Sequence, residues 1–349
     1  MFSDDELLLI YGAVACVIVK RRKRQLKRNQ WTKDWLLKRA QYSHVNLLKE
    51  LRFHPKDWHN YLRMNEETYL DLLSRVSPLI KKKDTVMRTA ITPHERLTAT
   101  LRYLATGRPL EDLKYSTIVS PQALGNIIEE TCKVILKVLK NEFCKFPTSE
   151  EEWKAIARGF HERWNFPNCL GAIDGKHVPI VPPPGMPKPT MVDGTLLPYV
   201  FVADEAFELR EDLMKPFNAS VLNHERRICN YRFSRARRIV ENVFGILVAR
   251  FGVFQKPINL RLDRITDVVL ACCALHNFMR ETSPNKYTPS ECFDEESNGE
   301  IINGLRTETR RKLQRNRKGT KGKAGKDTRD KFVEYFNGNG KVPWQDKYV

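Results

Sequence analysis

The chain has 349 residues, of which 41% are hydrophobic, so it is long enough for two domains with buried cores. Its formal net charge of +18 indicates a polyanionic partner, either nucleic acid or an anionic membrane surface. The cysteines are scattered and form no Cys-x-x-Cys pair, which argues against disulfides and zinc and favours buried thiols in a reducing compartment.

The first 30 residues combine an apolar run with a cluster of basic residues. The run, Leu7–Val19, spans about 20 Å as a helix and falls short of the ~30 Å hydrocarbon core of a bilayer. Acidic residues precede it and basic residues follow it, which is the reverse of a signal peptide. We expect a buried helix and no stable membrane insertion, with an N-terminal signal-anchor as the alternative. The cluster predicts import into the nucleus through Lys20, Arg21, Arg22, Lys23 and Arg24.

Residues 31–165 have the pattern of an all-helical region. Thr92-Pro-His-Glu95 predicts a capping box with proline at the first helical position, and Gly107 predicts the end of that helix. Pro109–Tyr115 predicts a second, short helix, and Ser120 predicts the start of a third.

Three helices with this spacing, over about residues 92–140, fit a helix-turn-helix. Gln122 and Asn126 would then lie on the exposed N-terminal part of the last helix, where this motif reads base edges. A plain helical bundle explains the same pattern, so both interpretations stay open.

After the helical region, short apolar runs end in an acid. One such run precedes Asp174, and Tyr199–Ala203 precedes Asp204, as expected of buried strands that deliver carboxylates to a sheet edge. A long predicted helix, 223–250, carries Glu241. Mg²⁺ prefers carboxylate ligands, and two such ions can activate a water and stabilise the leaving oxygen of a phosphodiester. The three acids are therefore candidate catalytic and metal-binding residues, with Mg²⁺ or Mn²⁺ as the cofactor.

Each of these acids also has an ordinary explanation. Asp174 with the glycine after it is a common start of a turn, and Asp204 could cap a helix that begins at Glu205. Glu241 stands four residues after Arg237, which is the spacing of a helical ion pair.

Basic residues concentrate in the helix 223–250 and in the run 306–329. In the helix, Arg227, Arg235 and Arg238 are expected to contact DNA phosphates. The alternative for the C-terminal run is a solvated tail.

The C-terminal third mixes apolar and polar segments. Arg250–Phe254 could form a strand, and a polar, charged composition predicts disorder over 281–330. Beyond it, four aromatic residues are expected to dock back onto the fold: Phe332, Tyr335, Phe336 and Trp344.

Four longer motifs make the chain recognisable, and in this order they resemble those of PIF/Harbinger transposases and their domesticated nuclease relatives, which are DDE superfamily endonucleases. The resemblance runs from about Tyr61 to His276. The motifs are Trp164-Asn-Phe-Pro-Asn-Cys-Leu-Gly-Ala-Ile-Asp-Gly-Lys-His-Val178, Leu197-Pro-Tyr-Val-Phe-Val-Ala-Asp-Glu-Ala-Phe207, Asn230-Tyr-Arg-Phe-Ser-Arg-Ala-Arg-Arg-Ile-Val-Glu-Asn-Val-Phe-Gly245 and Ala271-Cys-Cys-Ala-Leu-His-Asn-Phe278.

The resemblance implies an α+β protein, in which an N-terminal helical region with a helix-turn-helix precedes an RNase H-like α/β nuclease domain. It implies that Asp174, Asp204 and Glu241 bind a divalent metal, that DNA is the partner, and that a Myb/SANT-like protein is a further partner.

The sequence departs from the family between the first two acids. Pro182–Pro198 offers only 17 residues, six of them proline, and proline neither donates to a sheet ladder nor continues a helix. We therefore expect the strands that normally lie between the two acids to be missing. The catalytic domain would then be internally shortened near 182–198, with an exposed strand edge.

These features divide the chain into an apolar helix with a basic cluster, a helical region, a nuclease domain, a basic disordered linker and a tail, at 1–30, 31–165, 166–283, 284–330 and 331–349. The first hypothesis is a transposase-derived, metal-dependent DNA endonuclease that hydrolyses phosphodiesters or transfers strands. Whether the shortened domain still cleaves is left open. The alternative is a catalytically dead descendant that binds DNA or a partner protein. A membrane-anchored protein is a third hypothesis, disfavoured by the short apolar run.

Overall fold

The computed structural model describes residues 33–86, 89–173, 186–258, 260–289, 292–293, 295–297, 300–302 and 323–349. Within these ranges the fold is rich in helices with small sheets, which is compatible with the predicted α+β class. The predicted helix at Leu7–Val19, the basic cluster Lys20–Arg24 and Asp174 lie outside the described residues. Among the helices that are described, none is long and apolar enough to span a membrane.

Helices dominate the chain before residue 165 and return after residue 223. They are α1 (Asp34–Leu37), α2 (Arg39–Tyr42), α3 (His44–Leu51), α4 (Pro55–Leu62), α5 (Glu66–Ile80), α6 (Pro93–Thr106), α7 (Leu110–Thr117), α8 (Pro121–Phe143), α9 (Glu150–Trp164), α10 (His224–Arg250), α11 (Leu262–Thr282), α12 (Pro284–Tyr287) and α13 (Lys323–Asn337).

The strands are short and lie mainly between α9 and α10. They are β1 (Cys169–Ile173), β2 (Thr190–Val192), β3 (Thr195–Leu197), β4 (Val200–Ala203), β5 (Leu213–Met214), β6 (Glu295–Ser297) and β7 (Glu300–Ile302). β1, β4 and β5 form a parallel sheet in the order β1-β4-β5, whereas β2–β3 and β6–β7 are separate antiparallel pairs.

Local capping signals set the predicted helix boundaries correctly. The Thr92 side chain accepts a hydrogen bond from the Glu95 amide at 3.2 Å, and the Glu95 carboxylate accepts one from the Thr92 amide at 2.9 Å. Gly107 then ends α6 in the left-handed region, at φ 58°. α6, α7 and α8 follow one another through three-residue connections, and α8 packs along α11 in the main helical core. This arrangement is compatible with both the helix-turn-helix and the bundle.

The strand predicted at Arg250–Phe254 is wrong. Arg250 ends α10, and a 3₁₀ turn follows over Gly252–Gln255. The physical reason is tertiary packing, because Gly252 crosses the end of α6 at backbone distance. A Cβ atom on Gly252 would lie 2.7 Å from the carbonyl oxygen of Ala105. This close crossing determines the local conformation, and the β-forming side chains on either side do not override it.

The parallel sheet is covered on both faces, as such sheets require. Alternate residues of β4 point to opposite sides: Val200 and Val202 contact the cluster that includes α10 and α13, and Phe201 and Ala203 contact the cluster that includes the start of α9. All four are buried. The sheet is therefore a small central layer between helices.

The segment between the two strand-terminal acids contains strands, contrary to expectation. β2 and β3 form a hairpin through Asp193 and Gly194, which both have positive φ, as a tight two-residue turn requires. The hairpin pairs with itself and not with the parallel sheet. The Asn168 side chain ties it to the start of β1 by donating to the Thr190 hydroxyl at 2.9 Å and to the Leu197 carbonyl at 2.8 Å. The prolines thus flank the strands without excluding them.

The C-terminal segment is part of the fold. Phe332, Tyr335 and Phe336 are buried against the sheet and α10, and Trp344 is half-buried, so the predicted docking is confirmed. The disorder predicted for 281–330 is contradicted at α12, at the β6–β7 hairpin and at the start of α13. The predicted boundary between linker and tail, at 331, falls inside α13.

The described cysteines are all free thiols, most of them buried, as the composition predicts. Burial raises the pKa of Cys169 to about 12, so this thiol stays protonated and inert.

Candidate active site

Asp204 follows β4 and starts a turn. Its Oδ1 accepts a hydrogen bond from the Ala206 amide at 2.8 Å, so the carboxylate caps a turn and not the helix that was the alternative explanation. Lys215, just after β5, holds the same turn by donating to the carbonyls of Phe207 at 2.7 Å and Glu205 at 3.3 Å. The turn that follows Asp204 is therefore held by the Asp204 carboxylate and by Lys215.

The register of the sheet places the ends of two strands side by side. β1 and β4 are parallel, and Ile173 pairs with Ala203. Asp204 is the next residue after Ala203, and Asp174 is the next in sequence after Ile173, although Asp174 itself lies outside the described residues. The strand pairing thus agrees with the prediction that buried strands deliver acids to a sheet edge, because neighbouring parallel strands end at the same edge.

Glu241 lies in the second half of α10 and makes the ion pair that was its alternative explanation. Its Oε1 accepts from the Arg237 guanidinium at 3.1 Å, and 15% of its side chain is exposed. α10 contacts both β1 and β4, so the helix that carries Glu241 packs on the strands that lead to the other two acids. The ion pair fixes the position of the Glu241 carboxylate. A metal bound there would share that carboxylate with Arg237.

The donor chemistry suits a hard cation, since Asp204 and Glu241 are both carboxylates. Asp204 Oδ1 is used in its turn, and its Oδ2 accepts no hydrogen bond from the described residues. No group of three or more potential metal ligands is assembled within the described part of the chain, which lacks Asp174. Two of the three predicted ligands are therefore described, and they do not by themselves form a metal cluster.

The predicted DNA-contacting residues do not all lie on the surface. Gln122 and Asn126 are exposed near the start of α8, and Arg227 is exposed near the start of α10, as expected. Arg238 is half-buried.

Arg235 is a correction, because it is only 3% exposed. Its Nη2 donates to the Asn165 side chain at 3.4 Å, and its guanidinium lies 5.7 Å from the ring of Trp344. The residue packs the C-terminal segment onto the fold and is not available to a phosphate in this structure.

Arg232 is an important residue that sequence reasoning missed. It is 1% exposed and donates to the Gly340 carbonyl at 2.9 Å, to Gln345 Oε1 at 3.0 Å and to the Asn165 carbonyl. Burial lowers its pKa to about 10. The signal was the third motif itself, in which Arg232 and Arg235 stand three apart and so share one helix face.

Comparison with known proteins locates the resemblance in the second half of the chain. Residues 189–277, about a quarter of the chain, match the family model described as DDE superfamily endonuclease. The match includes Asp204 and Glu241, and it supports a nuclease domain of transposase origin. No curated protein and no solved structure matches the chain.

Proposed function

We propose that the chain is a transposase-derived DNA endonuclease of the Harbinger type, in which Asp174, Asp204 and Glu241 bind Mg²⁺ or Mn²⁺. The observation that carries the proposal is the parallel register of β1 and β4, which brings Ile173 beside Ala203 at one sheet edge. The endonuclease match over residues 189–277 supports the same chemistry.

In this proposal the chain's residues position the reacting groups. The Asp204 turn is fixed by the Ala206 amide and by Lys215, and Glu241 is held by Arg237, so both carboxylates are oriented before substrate arrives. Bound divalent metal would activate the attacking water and stabilise the leaving oxygen of the phosphodiester. We expect slow cleavage, because the hairpin between the acids pairs with itself and leaves one edge of β1 without a neighbour in the described sheet.

A second candidate is a catalytically dead descendant that binds DNA or a Myb/SANT-like partner in the nucleus. The ion pair between Glu241 and Arg237 favours it, because that pairing satisfies the glutamate without a metal.

A plasmid-nicking assay with Mg²⁺ or Mn²⁺ and with chelator separates the two candidates. Asp204→Asn should reduce metal-dependent nicking at least ~100-fold while DNA binding persists, because only the metal ligand is lost. Glu211→Gln, an exposed carboxylate seven residues later, is the matched control and should nick normally. Equal nicking by the unmodified chain and Asp204→Asn would contradict a catalytic Asp204. DNA binding without nicking in either would favour the second candidate.

A further inference from the structure

A cleft in the helical core collects positive charge, and neither Asp204 nor Glu241 lines it. His59 of α4, Arg63 just after it, and Lys286 of α12 line the cleft, whose empty volume is about 170 Å³. Arg250 at the end of α10 reaches the same place. One of its terminal nitrogens lies 3.5 Å from His59 Nε2, and the other donates to the Tyr287 carbonyl at 2.7 Å.

Among the described residues, these cations have no carboxylate partner. Arg63, Arg250 and Lys286 form no ion pair with an acid in the part of the chain that the structure describes. The pKa of His59 is lowered first by burial and then by the charges of Arg250, Arg63 and Lys286. Glu66, the acid at the start of α5, is engaged elsewhere by Arg52 at 3.2 Å.

Arg63 also holds an unused donor. Its Nε is buried and has no hydrogen-bond partner among the described residues. Burying such a group is unfavourable unless something accepts its hydrogen bond. Arg250 has an ordinary explanation, since a cation at the C-terminus of a helix is stabilised by the helix dipole. The same explanation applies to Arg63, the C-cap residue of α4, and to Lys286, in the last turn of α12, but it supplies no acceptor for Arg63 Nε.

We propose that this cleft binds one backbone phosphate of DNA, outside the cleavage site. The interior admits about one water-sized group, which suits a single phosphate oxygen with the rest of the phosphodiester outside. That oxygen would accept from Arg63 Nε, while Lys286 and Arg250 neutralise the charge. The choice of DNA rests on the proposed function, whereas the phosphate chemistry rests on the cleft alone.

The first measurement is the salt dependence of DNA binding by the full chain, with chelator present so that cleavage cannot interfere. The double variant Arg63→Gln/Lys286→Gln should lower the slope of log K against log salt by about 0.9, the value for one lost phosphate contact. Lys56→Gln/Lys145→Gln removes the same charge from exposed lysines outside the cleft, and should leave the slope nearly unchanged. Lys286→Gln alone keeps Arg63, whose Nε is buried, and should give a smaller change in the same direction.

The second measurement uses inorganic phosphate as the probe. Titration of phosphate should shift the ring NMR signals of His59 in the unmodified chain and not in the double variant, with His59→Asn providing the assignment. A His59 shift with a slope equal to that of the control would overturn the DNA assignment and leave a site for free phosphate. If the double variant changes neither the salt slope nor the His59 signals, the site itself is overturned. If the unmodified chain does not bind DNA, that result counts against the proposed function. The phosphate titration would still show whether the cleft binds phosphate.

Discussion

Arg232 connects α10 to the C-terminal segment, and its replacement tests how the two are held together. Methionine at this position (Arg232→Met) keeps a long apolar side chain and removes every donor. The Gly340 carbonyl, the Gln345 side chain and the Asn165 carbonyl would each lose a charged partner in a buried or partly buried position. The contact of the guanidinium with the Phe336 ring, at 4.4 Å from the centroid, would also be lost.

The expected loss of stability follows from opposing contributions. Hydrogen bonds to charged groups contribute about 1.5–3 kcal/mol each, so three contribute roughly 6 kcal/mol. The cation–π contact adds about 1 kcal/mol. Against this, burial lowers the pKa of Arg232 to about 10, which corresponds to a desolvation cost of roughly 3 kcal/mol. The net loss is about 3–5 kcal/mol, which matches the usual effect of breaking a buried charged cluster.

Urea unfolding measures the loss, and hydrogen exchange locates it. Arg232→Met should lower the free energy of unfolding by that amount and should speed amide exchange in α13. Arg232→Lys keeps the charge without the planar fork, so it should fall in between. Arg227→Met, an exposed arginine on the same helix, is the control and should change stability little. A loss below about 1 kcal/mol, or one equal to that of the control, would refute the reasoning.

Two further outcomes can be measured by the same unfolding experiment. Gly252→Ala should lower the free energy of unfolding by about 2–4 kcal/mol, because its Cβ would meet the Ala105 carbonyl oxygen at 2.7 Å. Gly159→Ala, whose Cβ would have nothing within 4 Å, is the control and should be neutral or slightly stabilising. Equal effects of the two substitutions would contradict the close crossing. Stability should also fall as the pH falls from 7 to 5. Burial lowers the pKa of His44 to about 4, so the unfolded chain takes up a proton that the folded chain refuses, at about 2 kcal/mol over this interval. His44→Leu should flatten the pH dependence by that amount and the exposed His54→Leu should not; an unchanged profile in His44→Leu would show that His44 is not the cause.

Features encoded by a few neighbouring residues could be predicted from the sequence. The capping box at Thr92 and the glycine that ends α6 depend on contacts within one helical turn, and both are present. The strand before Asp204 was also predictable, because a run of β-branched and aromatic residues is buried on both faces of the sheet. The residue pattern predicts that two strands deliver acids to a sheet edge, and the observed register of β1 with β4 agrees with it.

Features that depend on distant segments could not be predicted in the same way. Arg235 has the sequence context of a surface arginine, and only the docking of Trp344 and the position of Asn165 bury it. The conformation after Arg250 depends on a backbone crossing with α6, far away in sequence. The β2–β3 hairpin was different, because its Asp-Gly turn signal is local. The surrounding prolines do not prevent the hairpin, because they lie outside its paired residues.

The position of α13 has a consequence for the order in which the molecule acquires its structure during synthesis. The core beneath the parallel sheet contains Phe166 and Phe233 together with Phe332 and Phe336. Domains generally fold as units while the ribosome elongates the chain, yet this core is incomplete until α13 has emerged. The strands and α10 therefore keep apolar faces uncovered while α11 and the segment between α11 and α13 are synthesised. The helical core around α5, α6 and α8 waits a shorter time, because α11 completes it earlier. The nascent chain should consequently depend most on chaperones after α11 has emerged and before α13 has. A stop codon ahead of α13 would leave the sheet without one of its covering helices.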